Sequence, residues 1–507
     1  MMNAGRVLFV GAGPGDPKLL TIRGKEALQK ADVVVYDRLA NPLLLSHVRR
    51  DARLVYCGKE RDRHTLPQEE INLLLIREAK QGKTVVRLKG GDPSMFGRVG
   101  EEAQMCVEHG VPYEIVPGIT SGMAAPLYAG IPLTHRDYNS SVAFVTGHLC
   151  DKNAGKGPDW TALARMETLV IYMGVKNLPH IQAQLLASGK SGETPVALVR
   201  WGTVGEQQTL VGSLATIDRD VANAGFSAPA IIIVGEVVRL REQLNWYESR
   251  PLFGQRVAIA ARPGGGGDVL ASRLEQLGAE VIAIPLVKRP LQAGDAVFPE
   301  ELAAYGWILL DDVQQAEAFL AELGKRRFDL RRLTCRLAVR GKQAALYLES
   351  RGLYPERVFD HAATSAAMSR ELARDGERIL HVRANGVNVL AQGATELLHL
   401  PAGGVLEWDE MHPAASWMKK LTFDWFAAAD EEVLPALADF AGAGWESKPL
   451  FCADEKTRAV ARQMGWRVVS TEEPASFAQG VRPQEQIASA ACTLYGTPSF
   501  LCDNRLA

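Results

Sequence analysis

Short apolar runs of strand length recur through the first half of the chain: Val7–Val10, Val33–Tyr36, Val85–Leu88, Tyr113–Val116, Ala143–Thr146, Thr168–Met173, Pro195–Val199 and Ala230–Val234. Helical spacing of apolar residues fills several of the gaps, over Gly24–Lys30, Gln68–Gln81 and Glu101–His109. Strand and helix in alternation predict an α/β fold. The polar, irregular stretch Pro132–Ser141 marks an internal break near residue 140. Asn245–Gly254 reads as a linker with a few anchoring aromatics, and the rhythm restarts with a strand at Arg256–Ala261, a helix at Val269–Leu277 and a strand at Glu280–Ile284. A second core therefore begins near residue 255. The last stretch, 488–507, mixes apolar and small residues and is assigned no element.

Length and composition add bounds. A chain of 507 residues is expected to hold about three domains. No stretch approaches the roughly 20 apolar residues that span a bilayer. The start is too short for a signal peptide, so a cytoplasmic protein without membrane contact is expected. The net charge of −2 gives no bulk attraction for nucleic acid. It is uneven, with +3 over residues 1–250 and −5 over the remainder. Seven scattered cysteines without a CxxC pattern imply reduced thiols and no metal site.

Candidate chemistry lies in three glycine loops, each after a strand: Gly11-Ala12-Gly13-Pro14-Gly15-Asp16-Pro17, Lys89-Gly90-Gly91-Asp92-Pro93-Ser94-Met95-Phe96-Gly97-Arg98, and Val116-Pro117-Gly118-Ile119-Thr120-Ser121-Gly122. A tight strand-to-helix turn would use the same glycines, but three such loops at the carboxyl ends of strands converge on one crevice in an α/β fold. A dinucleotide fingerprint fails at Asp16, whose charge opposes a pyrophosphate, and at Pro14, which lacks an N–H.

Val10–Pro17, Leu20–Gly24, Tyr36–Leu39, Arg87–Pro93, Pro117–Ser121 and Pro132–Arg136, in that order, resemble the uroporphyrinogen-III C-methyltransferases of the tetrapyrrole methylase family. The resemblance runs over nearly all of residues 6–245. It implies a tetrapyrrole methylase fold of two α/β subdomains, about 1–138 and 139–245, a homodimer, and S-adenosyl-L-methionine in the cleft between the subdomains. That donor carries no phosphate, which fits Pro14 and Asp16. The resemblance places Pro14, Gly90, Gly91, Asp92, Met95, Thr120, Ser121, Met173, Gly202 and Ala230 around the donor. It implies Asp37 as proton acceptor and Lys59 as proton donor. Without it, Asp37 reads as a helix N-cap and Lys59 as one more solvated charge. A substrate with eight carboxylates needs cations, and Arg23, Arg38, Arg98, His135 and Arg136 are the candidates, with Arg61 and Arg63 equally readable as a solvated basic face. The implied reaction is methylation of uroporphyrinogen III at two positions to precorrin-2, for sirohaem or cobalamin synthesis. Another tetrapyrrole methylase with a non-catalytic second block remains an alternative.

Arg256–Ile284, Tyr305–Leu320, Arg336–Leu353, the Arg383 region and Leu450–Val469, in order and spacing, resemble uroporphyrinogen-III synthases over roughly 255–480, after a linker at 246–254. That resemblance implies two α/β lobes, 255–286 with 413–487, and 287–412. Its site pattern is broken. Hydroxyl pairs expected after strands are replaced by Asp311-Asp312 and by Asp430-Glu431-Glu432. Gly341-Lys342-Gln343-Ala344 and Asp454-Glu455-Lys456-Thr457 depart likewise, Arg383 lacks its usual neighbours, and Gly404–His412 holds no tyrosine. Carboxylates beside an octa-anion would repel it. The expectation is a synthase-like fold with weak or no synthase activity, a bifunctional enzyme being the alternative.

Overall fold

The computed structural model describes residues 5–58, 67–147, 158–262, 267–289, 302–360, 363–373, 376–384, 395–400 and 405–469. The chain is α/β throughout. Its first sheet runs, in spatial order, Arg53–Tyr56, Val33–Tyr36, Thr84–Lys89, Arg6–Gly11 and Tyr113–Val116, with every neighbouring pair parallel. Successive side chains on a strand point to opposite faces, and both faces here are covered. Val7, Phe9, Val33, Val35 and Val85 enter one core with the helices Gln68–Lys80 and Val99–Glu108. Leu8, Val10, Val34, Val86 and Leu88 enter the other, against the helix Ile22–Lys30. That double burial is why these strands read as unbroken valine and leucine runs.

The chain leaves strand Arg6–Gly11 toward one edge of the sheet, returns at Thr84–Lys89 beside it, and finishes on the other side at Tyr113–Val116. The two central strands thus flank a reversal of strand order, and in open parallel sheets the crevice outside such a point is where ligands bind.

A second sheet runs Val142–Thr146, Thr168–Tyr172, Ala230–Val234, Pro195–Arg200 and Gln208–Ser213. Its first pair is parallel and the others antiparallel. The sequence pattern missed Gln208–Ser213 because it is an edge strand with no buried residue. It also missed the helix Ser121–Tyr128, whose Gly122 and Pro126 read as loop. Packing makes that helix: Ala125 meets Gly202 so closely that a Cβ on Gly202 would lie 2.4 Å from the Ala125 Cβ.

A third, parallel sheet runs Glu280–Ala283, Arg256–Ala260, Trp425–Ala428, Pro449–Cys452 and Arg467–Val469, around a core containing Trp425, Phe451 and Ile259. By compactness the chain divides into two units, one of residues 1–284, 410–431 and 443–507, the other of 285–409 and 432–442. The second unit contains a parallel sheet in the order Arg357–Phe359, Arg336–Arg340, Trp307–Leu310, Ile379–Ala384, Thr395–Leu400, and an antiparallel ribbon of Leu286–Arg289 with Val405–Trp408.

Three glycines lock the loops of the first sheet together. A Cβ added at Gly118 would lie 2.4 Å from the Gly91 carbonyl oxygen and 2.8 Å from the Gly11 Cα, both backbone atoms that cannot step aside. Gly118→Ala is expected to cost roughly 2 kcal/mol or more in urea unfolding, at the upper side of overpacking penalties. Gly100→Ala, on a helix with nothing within 4 Å of the new methyl group, is the control and is expected to cost nothing.

Candidate active site

The crevice at the reversal point is built mostly of backbone. Gly13 and Gly91 exchange hydrogen bonds, Gly13 N–H to the Gly91 carbonyl at 3.2 Å and Gly91 N–H to the Gly13 carbonyl at 2.7 Å. The Gly91 N–H is therefore spent on the neighbouring loop. A Cβ on Gly91 would meet Ser121 N, Thr120 Cα and Thr120 Oγ1 at 3.6 to 3.9 Å, ordinary van der Waals contact, so the second loop lies directly against the third. Asp92 ties the second loop to the third by accepting from the Gly118 N–H at 2.9 Å, and it accepts from the Ser94 N–H at 2.7 Å and from the Ser94 hydroxyl. Partial burial pushes the Asp92 carboxyl up, but the Ser94 hydroxyl and the amides of Gly118, Ser94 and Met95 outweigh it and hold it below its ordinary value.

Side chains from the second sheet close the crevice. The Tyr172 hydroxyl lies 2.7 Å from Thr120 Oγ1 and accepts from the Gly122 N–H at 2.9 Å. Thr120 consequently does not cap its own helix. On the other side, Thr203 Oγ1 accepts from the Asp16 N–H at 2.9 Å, and Asn41 donates to the Gly15 carbonyl at 2.8 Å. The Asp16 amide is thus unavailable to a phosphate, and Pro14 has none.

Among the described residues, six non-glycine residues have positive φ, and five lie on these loops: Phe96, Arg98, Met173, Trp201 and Thr203. Left-handed backbone costs energy for such residues and concentrates where surrounding structure imposes it at functional sites. Met173 has its side chain about half exposed just past strand Thr168–Tyr172. Gly202 sits between two of the strained residues, and Ala230 opens its strand, partly buried. Met95 packs against the core of the second sheet, and Ser121 is the first residue of its helix. The contacts just described link Gly91, Asp92, Thr120 and Ser121, and Gly202 packs on Ala125 of the helix that Ser121 opens.

The charged candidates divide. Asp37 Oδ1 accepts from the Leu39 and Ala40 amides at 3.0 and 3.2 Å, and its Oδ2 lies 3.6 Å from Arg87 Nη2. It caps a turn rather than the helix that the plain reading expected, the next helical turn being capped by Asn41, and its second oxygen faces Arg87. Lys59, Arg61 and Arg63 lie outside the described residues. Arg23 is engaged with Glu114, with contacts of 2.7 to 3.0 Å, and Arg98 pairs with Glu101 at 2.5 Å. His135 Nδ1 accepts from the Asp137 N–H at 3.2 Å. Arg38 and Arg136 are exposed and make no ion pair among the described residues.

Residues 6–218 match the family Tetrapyrrole (Corrin/Porphyrin) Methylases, and residues 268–397 match Uroporphyrinogen-III synthase HemD. The chain is 46% identical over 355 residues to a uroporphyrinogen-III C-methyltransferase of Bacillus subtilis, covering 69% of this chain and 73% of that protein. The chain belongs to the uroporphyrinogen-III C-methyltransferases, within the tetrapyrrole methylases. A siroheme synthase of Thiobacillus denitrificans is 52% identical over 257 residues, half of this chain and 53% of that one. A Thermus thermophilus uroporphyrin-III C-methyltransferase structure, complexed with S-adenyl homocysteine, is 42% identical, covers 46% of this chain and all of its own, and has a TM-score of 0.40.

In this methyltransferase the HemD-like block corrects the expectation of repulsion. The Asp311 carboxylate is buried, 3.0 Å from His381 Nε2 and 3.5 Å from Arg340 Nη2. Asp312 caps the helix Val313–Lys325 by accepting from the Gln315 N–H at 2.9 Å. In the other unit, Asp430 lies 3.1 Å from Arg262, Glu431 pairs with Lys456, and Asp454 caps the helix Glu455–Met464. These carboxylates are spent on internal partners, so they neither repel an anion as free charges nor offer the hydroxyl donors they replace. The Arg383 backbone is in strand Ile379–Ala384 and its side chain lies outside the described residues.

The depressed Asp92 carboxyl gives a pH prediction. A carboxylate held below its unfolded value stabilises the fold above that value and ceases to do so as pH falls through the folded one. The stability gap between the wild type and Asp92→Asn, from urea melts, is expected to be constant from about pH 5 to 7 and to narrow below about pH 4.

Proposed function

We propose that residues 1–245 transfer methyl groups from S-adenosyl-L-methionine to two ring carbons of uroporphyrinogen III, giving precorrin-2 for sirohaem or cobalamin synthesis. The observation that carries this reading is the crevice at the junction of Gly11, Gly91 and Gly118, whose first loop withholds the amide donors a phosphate needs. A donor without phosphate suits it, its amino-acid and adenosine parts being held by Gly91, Asp92, Thr120 and Met173. When bound, S-adenosyl-L-methionine supplies an electrophilic methyl group next to a sulfonium charge.

The chain's own residues then have three tasks. Alignment and exclusion of water fall to the strained loops Phe96–Arg98, Met173 and Trp201–Thr203, because displacement at a methyl group depends on orientation more than on a protein nucleophile. Asp37 accepts the proton released by the macrocycle after its ring carbon is methylated, and Lys59 donates one. Arg38 and Arg136 meet substrate carboxylates directly. Arg23, Arg98 and His135 would do so only by exchanging their present partners.

The exposed apolar residues Ile22, Tyr113, Ile115, Ile119, Met123 and Leu127 lie along the edge strand and the neighbouring helices, and support a homodimer. Among the described residues no helix is long and apolar enough to cross a membrane, and the cytoplasm is the compartment we assign. Residues 246–254 serve as the linker, and 255–487 form a HemD-like domain whose synthase activity is weak or absent because its hydroxyl donors are lost.

Purified full-length protein, given uroporphyrinogen III and S-adenosyl-L-methionine with a labelled methyl group, is expected to place two labels per macrocycle and give a dipyrrocorphin-like spectrum. Label in a different corrin precursor, with none in uroporphyrinogen III, would assign another methylase specificity. Asp37→Asn is expected to lower turnover by about 100-fold, the usual scale of a lost general base, with S-adenosylhomocysteine affinity changed by less than about two-fold.

A further inference from the structure

Beneath the loop that carries Asp37 lies a buried ionic cluster. Arg87 and Lys89 stand two residues apart on the central strand Thr84–Lys89, and so on the same face. Their side chains are 6% and 7% exposed, and that of Glu102, from the helix Val99–Glu108, is fully buried. Glu102 Oε2 accepts from Lys89 Nζ at 2.9 Å, and its Oε1 accepts from Gln68 Nε2 at 2.9 Å and from Arg87 Nε at 3.4 Å. Arg87 also donates to the carbonyls of Leu88 and Val35, at 3.2 and 3.5 Å. Its remaining nitrogen, Nη2, lies 3.6 Å from Asp37 Oδ2.

Charge balance gives the cluster its meaning. Two buried cations face one buried carboxylate, and an unpaired charge in such a place is costly. Asp37 supplies the missing negative charge, and it is the one member open to the crevice, with its side chain 28% exposed. The cluster is neutral while Asp37 is ionised and carries a net positive charge when Asp37 is protonated. The other described groups around Asp37 do not supply this balance. Cys57, past the strand Arg53–Tyr56, is a thiol that burial pushes up. The Tyr36 and Tyr56 rings meet at 5.4 Å, tilted by 57°, and Arg38 on the same loop is exposed to solvent.

We propose that Arg87, clamped by Glu102, is the positioning residue for Asp37, fixing where its carboxylate stands by way of the contact between Nη2 and Oδ2. The proposal rests on Asp37 being the proton acceptor. In that step the proton leaves the methylated macrocycle, its bonding electron pair stays with the ring system and quenches the positive charge there, and an Asp37 oxygen takes the proton and later passes it to water.

The test uses the full chain in two forms. Arg87→Gln with Glu102→Gln removes one charge of each sign and leaves Lys89 and Asp37 to balance, which protects the fold; Arg87→Lys is the conservative form. The kcat of the double variant is expected to fall about 10-fold from misplacement of the base, with KM and S-adenosylhomocysteine affinity within about two-fold, and Arg87→Lys is expected to recover most of that loss. Wild-type kcat in the folded double variant, or a KM that rises as kcat falls, overturns the role of Arg87. Wild-type turnover in Asp37→Asn overturns the assignment of the base itself, whatever Arg87 does.

Discussion

Three backbone segments meet where only glycine can stand, and the geometry of the amino-terminal block follows from that meeting. Gly11 ends its strand and Gly91 and Gly118 follow theirs at the carboxyl edge of the parallel sheet; a methyl group on Gly11 or Gly118 would strike the backbone of the other two, and Gly91 stands at a φ of 69°. The paired hydrogen bonds between Gly13 and Gly91 and the bond from the Gly118 N–H to Asp92 fix the three loops as one surface. Tyr172 and Thr203 then attach that surface to the second sheet. Bond donors used this way are withdrawn from any ligand. What remains is a crevice poor in amides, lined by carbonyls and small residues, and that selects against phosphate.

Electrostatics divides the same region into two layers. Arg38 and Arg136 are exposed and stand without ion partners among the described residues. Arg87, Lys89 and Glu102 are buried and paired, with the partly exposed Asp37 beside Arg87. Cations at the surface gain little from isolated pairs in water, but they can meet many carboxylates of one rigid ligand at once. The buried layer faces one partly exposed carboxylate, that of Asp37. The HemD-like block shows the opposite economy. Its acidic replacements, Asp311 and Asp430, are absorbed by His381, Arg340 and Arg262, which makes them parts of the fold.

Legibility in the sequence followed the range of the interaction. The runs Val7–Val10 and Val85–Leu88 are legible because each residue alternates between two cores, and a doubly buried strand has no polar face to blur the pattern. The three glycine loops are legible for a similar reason, since backbone contact restricts residue type locally. The helix Ser121–Tyr128 is not, because its small residues and proline are chosen by the approach of Gly202 and Tyr172, far along the chain. Charged residues are the least legible. Arg23 looks like a substrate cation until Glu114, 91 residues away, is found beside it, and Asp311 looks like a repulsive charge until His381, 70 residues away, is placed. Composition reveals that a charge exists, and only the fold reveals what it is spent on.

The central claim is that this glycine junction receives a phosphate-free sulfonium donor. Calorimetric titration of the full chain with S-adenosylhomocysteine, and separately with a nicotinamide dinucleotide, addresses it without any macrocyclic substrate. The account predicts one saturable site per chain for the first ligand and no heat of binding for the second. A chain that ignored S-adenosylhomocysteine and bound the dinucleotide would contradict it.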